Sequence, residues 1–179
     1  MVKNDNHLKF FMLIVLICIS AVILHEIGHA IIYTMQGFNV DFNLTKANPV
    51  SGEITLLGSM GGLLSNLIIA IIFLFLFKKY KKILFFVVVF AHTWFSRLFL
   101  YLLKLPRGYY PTDEMMIANY FNLHPLIICL IFLIIFSLIL YKAFKILLDI
   151  YSKNNLYKIL IYSFSASLLS MFVIIPLEG

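Results

Sequence analysis

From Phe10 to Tyr33 the chain runs through apolar residues, and the ionisable groups that break the run are His25, Glu26 and His29. A bilayer-crossing helix needs about 20 such residues. In lipid the backbone must satisfy its own hydrogen bonds, so a continuous run of this kind folds as a helix. Residues four apart share a helix face. His25 and His29 can therefore turn toward one metal ion, with Glu26 placed to reach a water on it. His-Glu-Ile-Gly-His is the H-E-x-x-H arrangement of zinc-dependent hydrolases. Ionisable groups are expensive inside a span, and three together carry a functional reading. At about 1.5 Å per residue, His25 lies roughly 22 Å along from Phe10. In a hydrocarbon core about 30 Å thick, that is past the midplane, toward the C-terminal end of the helix.

The pattern repeats along the chain, with further apolar runs at about Gly58–Phe77, Ile83–Leu103, Pro125–Tyr141 and Ile159–Leu177. The 179 residues are 63% hydrophobic and 12% charged, against about 45–50% apolar in a soluble domain. The expected fold is an all-α membrane protein of about five transmembrane helices, with a short β-hairpin or loop between the first two. It forms a single polytopic domain over residues 1–179, with a catalytic core over about 10–121 and two additional spans over about 125–177. The formal charge of +6 comes from lysines clustered between apolar runs, such as Lys78, Lys79, Lys81 and Lys82. That is the pattern of membrane-flanking loops, so no nucleic-acid partner is expected. Lys142, Lys145, Lys153 and Lys158 read as another basic loop. With alternating spans, ten lysines fall on the N-terminal face and three basic residues (Lys46, Lys104, Arg107) on the other. This predicts a multi-pass protein of the cell membrane with a cytoplasmic N-terminus and the metal toward the outer leaflet. Cys18 and Cys129 both lie in apolar runs and suggest no disulfide framework.

Two irregular segments separate the first three spans from their neighbours. In Thr34–Leu57, the stretch Phe38–Leu44 alternates apolar and polar residues as a half-buried strand does. Ser51–Leu57 is a second candidate strand, with Asn48-Pro49 as the turn between them. Such a hairpin at the membrane face can hold an extended peptide by strand addition; the alternative is an ordinary loop. In Lys104–Asn122, Thr112 or Asp113 can cap a short helix from Glu114 to Phe121. The ends of spans one and three fall on one membrane face, which places Asp113 and Glu114 on the side of the histidines.

Within the spans, Gly58, Gly61 and Gly62 allow close helix approach. Asn66 needs a partner, because an unmatched amide in hydrocarbon costs several kcal/mol. His92 and Arg97 are five apart, so on an α-helix they lie on somewhat different faces. Arg97 either snorkels to the interface or pairs with an acidic site group.

A catalytic zinc keeps three protein ligands and one open position. His25 and His29 supply two, and a carboxylate from Asp113 or Glu114 the third. Glu26 is the candidate general base. Amide hydrolysis consumes water, so the site requires a wet notch among the spans.

Here the chain resembles the intramembrane zinc metalloproteases of the site-2 protease type. His25–His29 is similar to that family's H-E-x-G-H on the first core span. Gly58–Asn66 is similar to its G-P-x-x-N opening of the second, with Gly62 where Pro is common. Leu105-Pro106 through Pro111-Thr112-Asp113 is similar to its N-x-x-P-x-x-x-x-D-G element, with Glu114 in place of the Gly. The resemblance covers about Phe10–Tyr120. It implies a Zn2+-dependent endopeptidase with Asp113 as third ligand and Asn66 as a substrate or site residue. His92 is a further candidate to orient a ligand. A weaker resemblance, to membrane zinc proteases with a Glu-bearing third-ligand helix, would make Glu114 the ligand and Asn119 its partner. The implied substrate is a membrane-spanning or membrane-bound peptide in the lipid bilayer. With no regulatory domain in the sequence, selection falls to the loops or to an unidentified regulatory partner. The alternative is a metal-binding membrane protein without proteolytic activity, or an inactive relative.

Overall fold

The structure, a computed structural model, describes residues 7–44 and 46–174. The order is α1 (His7–Met35), β1 (Val40–Asn43), β2 (Lys46–Pro49), α2 (Leu56–Tyr80) and a third rod. That rod joins α3 (Ile83–Phe90), a π-helical segment (Ala91–Leu98), α4 (Phe99–Lys104) and a 3-10 turn (Leu105–Arg107). The short α5 (Thr112–Tyr120) follows, then α6 (Pro125–Ile150) and α7 (Lys153–Ile174).

Among the described residues, four rods are long and apolar enough to cross a membrane: His7–Met35, Leu56–Tyr80, Ile83–Arg107 and Pro125–Ile150. Large apolar side chains such as Leu16, Phe75 and Leu138 face outward from them, as they do where lipid is the solvent. The chain is a helical membrane protein with a two-stranded hairpin between its first two helices, as its sequence predicts. The expected fifth span, 159–177, ends outside the described residues; its described part belongs to α7, which packs along α1. Cys18 and Cys129 are both free and buried, and Cys18 meets Ser167 of α7 at 3.9 Å.

Three boundaries differ from expectation. The second strand is Lys46–Pro49 rather than Ser51–Leu57, paired antiparallel with Val40 opposite Pro49 and Asn43 opposite Lys46. Asn48-Pro49 therefore lies in the strand. Pro49 is its last residue, where the missing N–H costs least, and the turn comes afterwards, with Gly52 N–H donating to the Pro49 carbonyl at 3.0 Å. The basic loop around Lys142 is also not a loop. The α6 helix continues past Tyr141 to Ile150, so Lys142 and Lys145 are helical and only Tyr151 and Ser152 separate α6 from α7. At about 1.5 Å per residue, α6 is about 39 Å long and outruns the hydrocarbon core. Finally, α5 begins at Thr112 with Pro111 in the capping position, so neither Thr112 nor Asp113 caps it.

The contact between α1 and α2 positions the site. Thr55 caps α2, its hydroxyl accepting from Gly58 N–H at 3.0 Å. Ser65 Oγ donates to the Leu24 carbonyl at 2.7 Å, fastening the helices together. They touch backbone to backbone at Gly28 and Gly61: a Cβ on Gly28 would lie 2.6 Å from the Ser65 Cβ, and one on Gly61 would lie 2.9 Å from the His29 Cα. The aromatic core lies beyond this contact, where Phe77, Phe86, Phe90 and Phe136 of α2, α3 and α6 are fully enclosed.

Candidate metal centre

His25 and His29 project from one face of α1 toward α2, and Gly62 makes room for them. A Cβ at Gly62 would overlap the Cε1 and Nε2 atoms of His25 and the Nε2 of His29. The space beside Gly62 is thus the space between the two Nε2 atoms, which stand 3.2 Å apart. The His29 ring is fixed by its Nδ1–H, which donates to the Gly58 carbonyl at 2.7 Å. That leaves the Nε2 lone pair directed at the shared focus. Holding the opposite ring nitrogen is how proteins orient a metal-ligating imidazole.

Asp113, in the first turn of α5, completes the group. Its Oδ2 is 3.0 Å from His25 Nε2 and its Oδ1 is 3.4 Å from His29 Nε2. Ligand atoms 2.0–2.1 Å from a tetrahedral zinc stand about 3.3–3.4 Å from one another. The two Nε2 atoms, 3.2 Å apart, are spaced for one small ion, and Asp113 reaches each of them through a different carboxylate oxygen. Among the described residues, His25, His29 and Asp113 form a group able to hold a metal ion. Burial opposes ionisation of Asp113, but the hydrogen bonds with His25 and His29 and the nearby Arg97 charge outweigh it. Together they hold the carboxyl well below the usual carboxylate range.

Glu114 turns elsewhere. It is fully buried, and its Oε1 accepts from the Tyr101 hydroxyl at 2.5 Å and faces Arg97 Nη1 at 3.4 Å. Successive residues on α5 point in different directions, so Asp113 and Glu114 cannot both face the histidines. Asn119, the expected companion of Glu114, lies on the exposed side of α5.

Asn66 is fully buried and does not line the cavity; its amide lies between two histidines, 3.2 Å from His25 Nδ1 and 2.8 Å from His92 Nδ1. It touches the site through His25. Its Nδ2 faces His25 Nδ1 while its Oδ1 accepts from His92 Nδ1–H, so Asn66 fixes the orientation of the His25 ring from the side away from Nε2.

The π-helical segment accounts for His92 and Arg97. In an α-helix, residues five apart are separated by about 140° around the axis. The i→i+5 hydrogen bonding of a π-helix brings them toward one side. His92 reaches His25 through Asn66, while Arg97 reaches it directly, with Nη2 2.5 Å from His25 Nε2 and 2.7 Å from Asp113 Oδ2. Arg97 thus pairs with acidic site groups rather than snorkelling.

Glu26 is half-buried and accepts a hydrogen bond from the backbone of Ala47 in β2. It lines a cavity of about 670 Å³ together with His25, His29, Asp113, Arg97 and Asn48. That volume is of the size that accommodates small ligands. Lys46 and Lys104 also line it. The site therefore combines two imidazoles and a carboxylate on one focus, a second carboxylate beside them, and an open volume bounded by the hairpin. Tyr101 carries no signal in the sequence as a site-building residue. Gly62 and Ser65 both belong to the small-residue opening of α2 at Gly58–Asn66. No protein-family model, curated protein or solved structure matches the chain.

Proposed function

We propose that this protein is an intramembrane zinc-dependent endopeptidase that cuts membrane-spanning or membrane-bound peptides. The observation that carries this reading is the convergence of His25, His29 and Asp113 on one focus, with Glu26 beside them in a cavity shared with the hairpin. Zinc fits the donor set of two imidazoles and one carboxylate, and when bound it acidifies a water and polarises a carbonyl. Glu26 takes the proton of the attacking water and returns it to the leaving amine. His29 is held in its ligating tautomer by Gly58, and the His25 ring is oriented by Asn66 with His92 behind it. The β2 strand borders the cavity through Lys46, Ala47 and Asn48, so a substrate unwound into extended form can lie beside it. Peptide bonds in a helix are shielded, and substrates with Gly, Asn or Pro in the span yield most readily.

The test is Glu26→Gln in membranes of the cell, assayed against a panel of tagged single-span peptides that differ in Gly, Asn and Pro content. General-base catalysis contributes about 10²–10⁴-fold, so cleavage should fall at least a hundredfold while zinc content stays unchanged. Cleavage at the wild-type rate would end the reading. Metal binding without hydrolysis is the rival reading, and the guanidinium crowded against two of the ligand atoms favours it. It holds if no peptide in the panel is cut by the wild type while zinc remains bound.

A further inference from the structure

Arg97 occupies the contacts that a metal ion needs. Its Nη2 donates to His25 Nε2 at 2.5 Å and to Asp113 Oδ2 at 2.7 Å. A dication held by the same two lone pairs would stand beside a buried positive charge, and both interactions cannot persist together. The guanidinium must therefore have somewhere else to go.

The destination lies on its far side. Glu114 is fully buried next to Arg97, and its Oε1 is anchored by the Tyr101 hydroxyl at 2.5 Å. The present contact between the pair is long, 3.4 Å from Nη1 to Oε1. Two atoms in this pair are buried without a hydrogen-bond partner: Arg97 Nε and Glu114 Oε2. A side-on, two-pronged pairing of guanidinium and carboxylate uses Nε, one Nη and both carboxylate oxygens. It would satisfy both orphaned atoms and free His25 and Asp113 in one movement.

We propose that Arg97 and the metal ion compete for His25 and Asp113, and that Glu114 is a positioning residue which draws the guanidinium aside when the ion binds. The site's charge is then apportioned in two neighbouring pairs: ion with Asp113, guanidinium with Glu114. Tyr101 holds the receiving carboxylate still. Glu114 acts on the metal through Arg97 alone and never touches the ion. The proposal rests on metal binding by His25, His29 and Asp113 and is independent of whether a peptide is cut.

The experiment is zinc titration of the full-length protein in detergent, after chelation and dialysis, for wild type, Glu114→Gln, Arg97→Met and the double variant. Glu114→Gln should weaken zinc binding at least tenfold, and Arg97→Met should strengthen it at least tenfold. The double variant should bind like Arg97→Met, because Glu114 has no role once the guanidinium is gone. Arg97→Met leaves Glu114 buried and unpaired. If it does not fold, the double variant, which carries neither charge, replaces it, and tighter binding by the double variant than by Glu114→Gln supports the proposal. Unchanged affinity in Glu114→Gln, weaker binding in Arg97→Met, or a double variant no tighter than Glu114→Gln overturns it. A wild type that binds no zinc, or one whose binding survives His25→Ala, overturns the metal centre itself, a failure distinct from the others.

Discussion

Gly62 faces His25 so closely that a methyl group on its Cα would overlap the imidazole Cε1 and Nε2 atoms. The small residue on α2 is thus a part of the centre on α1, although it supplies no ligand. Gly62→Ala should push both rings from their shared focus. Overpacking a tight contact costs about 1–3 kcal/mol, a loss the helical bundle can survive. Folded protein with zinc affinity reduced at least tenfold is the expected result, checked by thermal unfolding and zinc titration on one preparation.

The two adjacent carboxylates of α5 should separate cleanly in zinc stoichiometry. Asp113→Ala removes an atom 3.0 Å from His25 Nε2 and should abolish stoichiometric zinc. Glu114→Ala should keep one zinc per chain at saturating metal, with only its affinity altered. Metal analysis of the two purified variants beside wild type decides between Asp113 and Glu114 as ligand.

Asn66 and His92 should behave as one unit. Loss of a group that orients a ligating histidine costs about 10–100-fold in metal affinity. Asn66→Leu should reach that range. His92→Phe should weaken zinc less, since it acts on His25 only through the Asn66 amide. Adding His92→Phe to Asn66→Leu should cost little more, and a double-mutant cycle on zinc affinity measures the coupling.

Chelation should lower the unfolding temperature, because an ion held by His25, His29 and Asp113 would tie α1 to α5. At a free-zinc concentration of 100 times Kd, the linkage is worth about 2.7 kcal/mol. The unfolding temperature of the wild type should rise with added zinc, and that of His29→Ala should not respond. A parallel response in both would place the metal elsewhere.

The depressed pKa of Asp113 adds a pH dependence in protein kept with chelator. The folded carboxyl titrates below the unfolded one, so its contribution is complete above the unfolded value of about 3.9 and is lost as pH falls toward the folded value. The stability gap between wild type and Asp113→Asn should be constant from pH 7 to 5 and close below pH 4, as followed by unfolding in urea. A gap that opens on acidification would contradict the pairing of Asp113 with Arg97 and the histidines.

Much of this site is legible in the chain because it rests on short-range helical geometry. His25 and His29 share a face by their spacing alone, and the alternation of spans brings Asp113 to them without knowledge of packing. The first strand follows from its alternation. The second does not, because Asn48-Pro49 carries a turn signal, and only pairing with β1 shows that a terminal strand proline gives up nothing. The ends of α6 are hidden because lysines read as loop, whereas a helix that outruns the lipid keeps them at its wet end. The meeting of His92 and Arg97 on His25 has no signal in an α-helical reading, since it depends on a π segment that composition does not announce. Choosing Asp113 over Glu114 depended on the direction in which α5 starts, which the neighbouring Pro111 and Gly108 leave open.

A π turn is an α-helix wound with one residue to spare. That spare residue sits between two working faces of the third rod: Phe86 and Phe90 face the aromatic interior, and Arg97 faces His25 and Asp113. Deleting one residue between His92 and Arg97 would absorb the spare residue, make the rod regular and leave the two four apart, still on one face. An added residue has no such slack to take up and would carry the arginine about 100° away from His25 while the interior stayed packed, so this rod should tolerate a loss at that point far better than a gain.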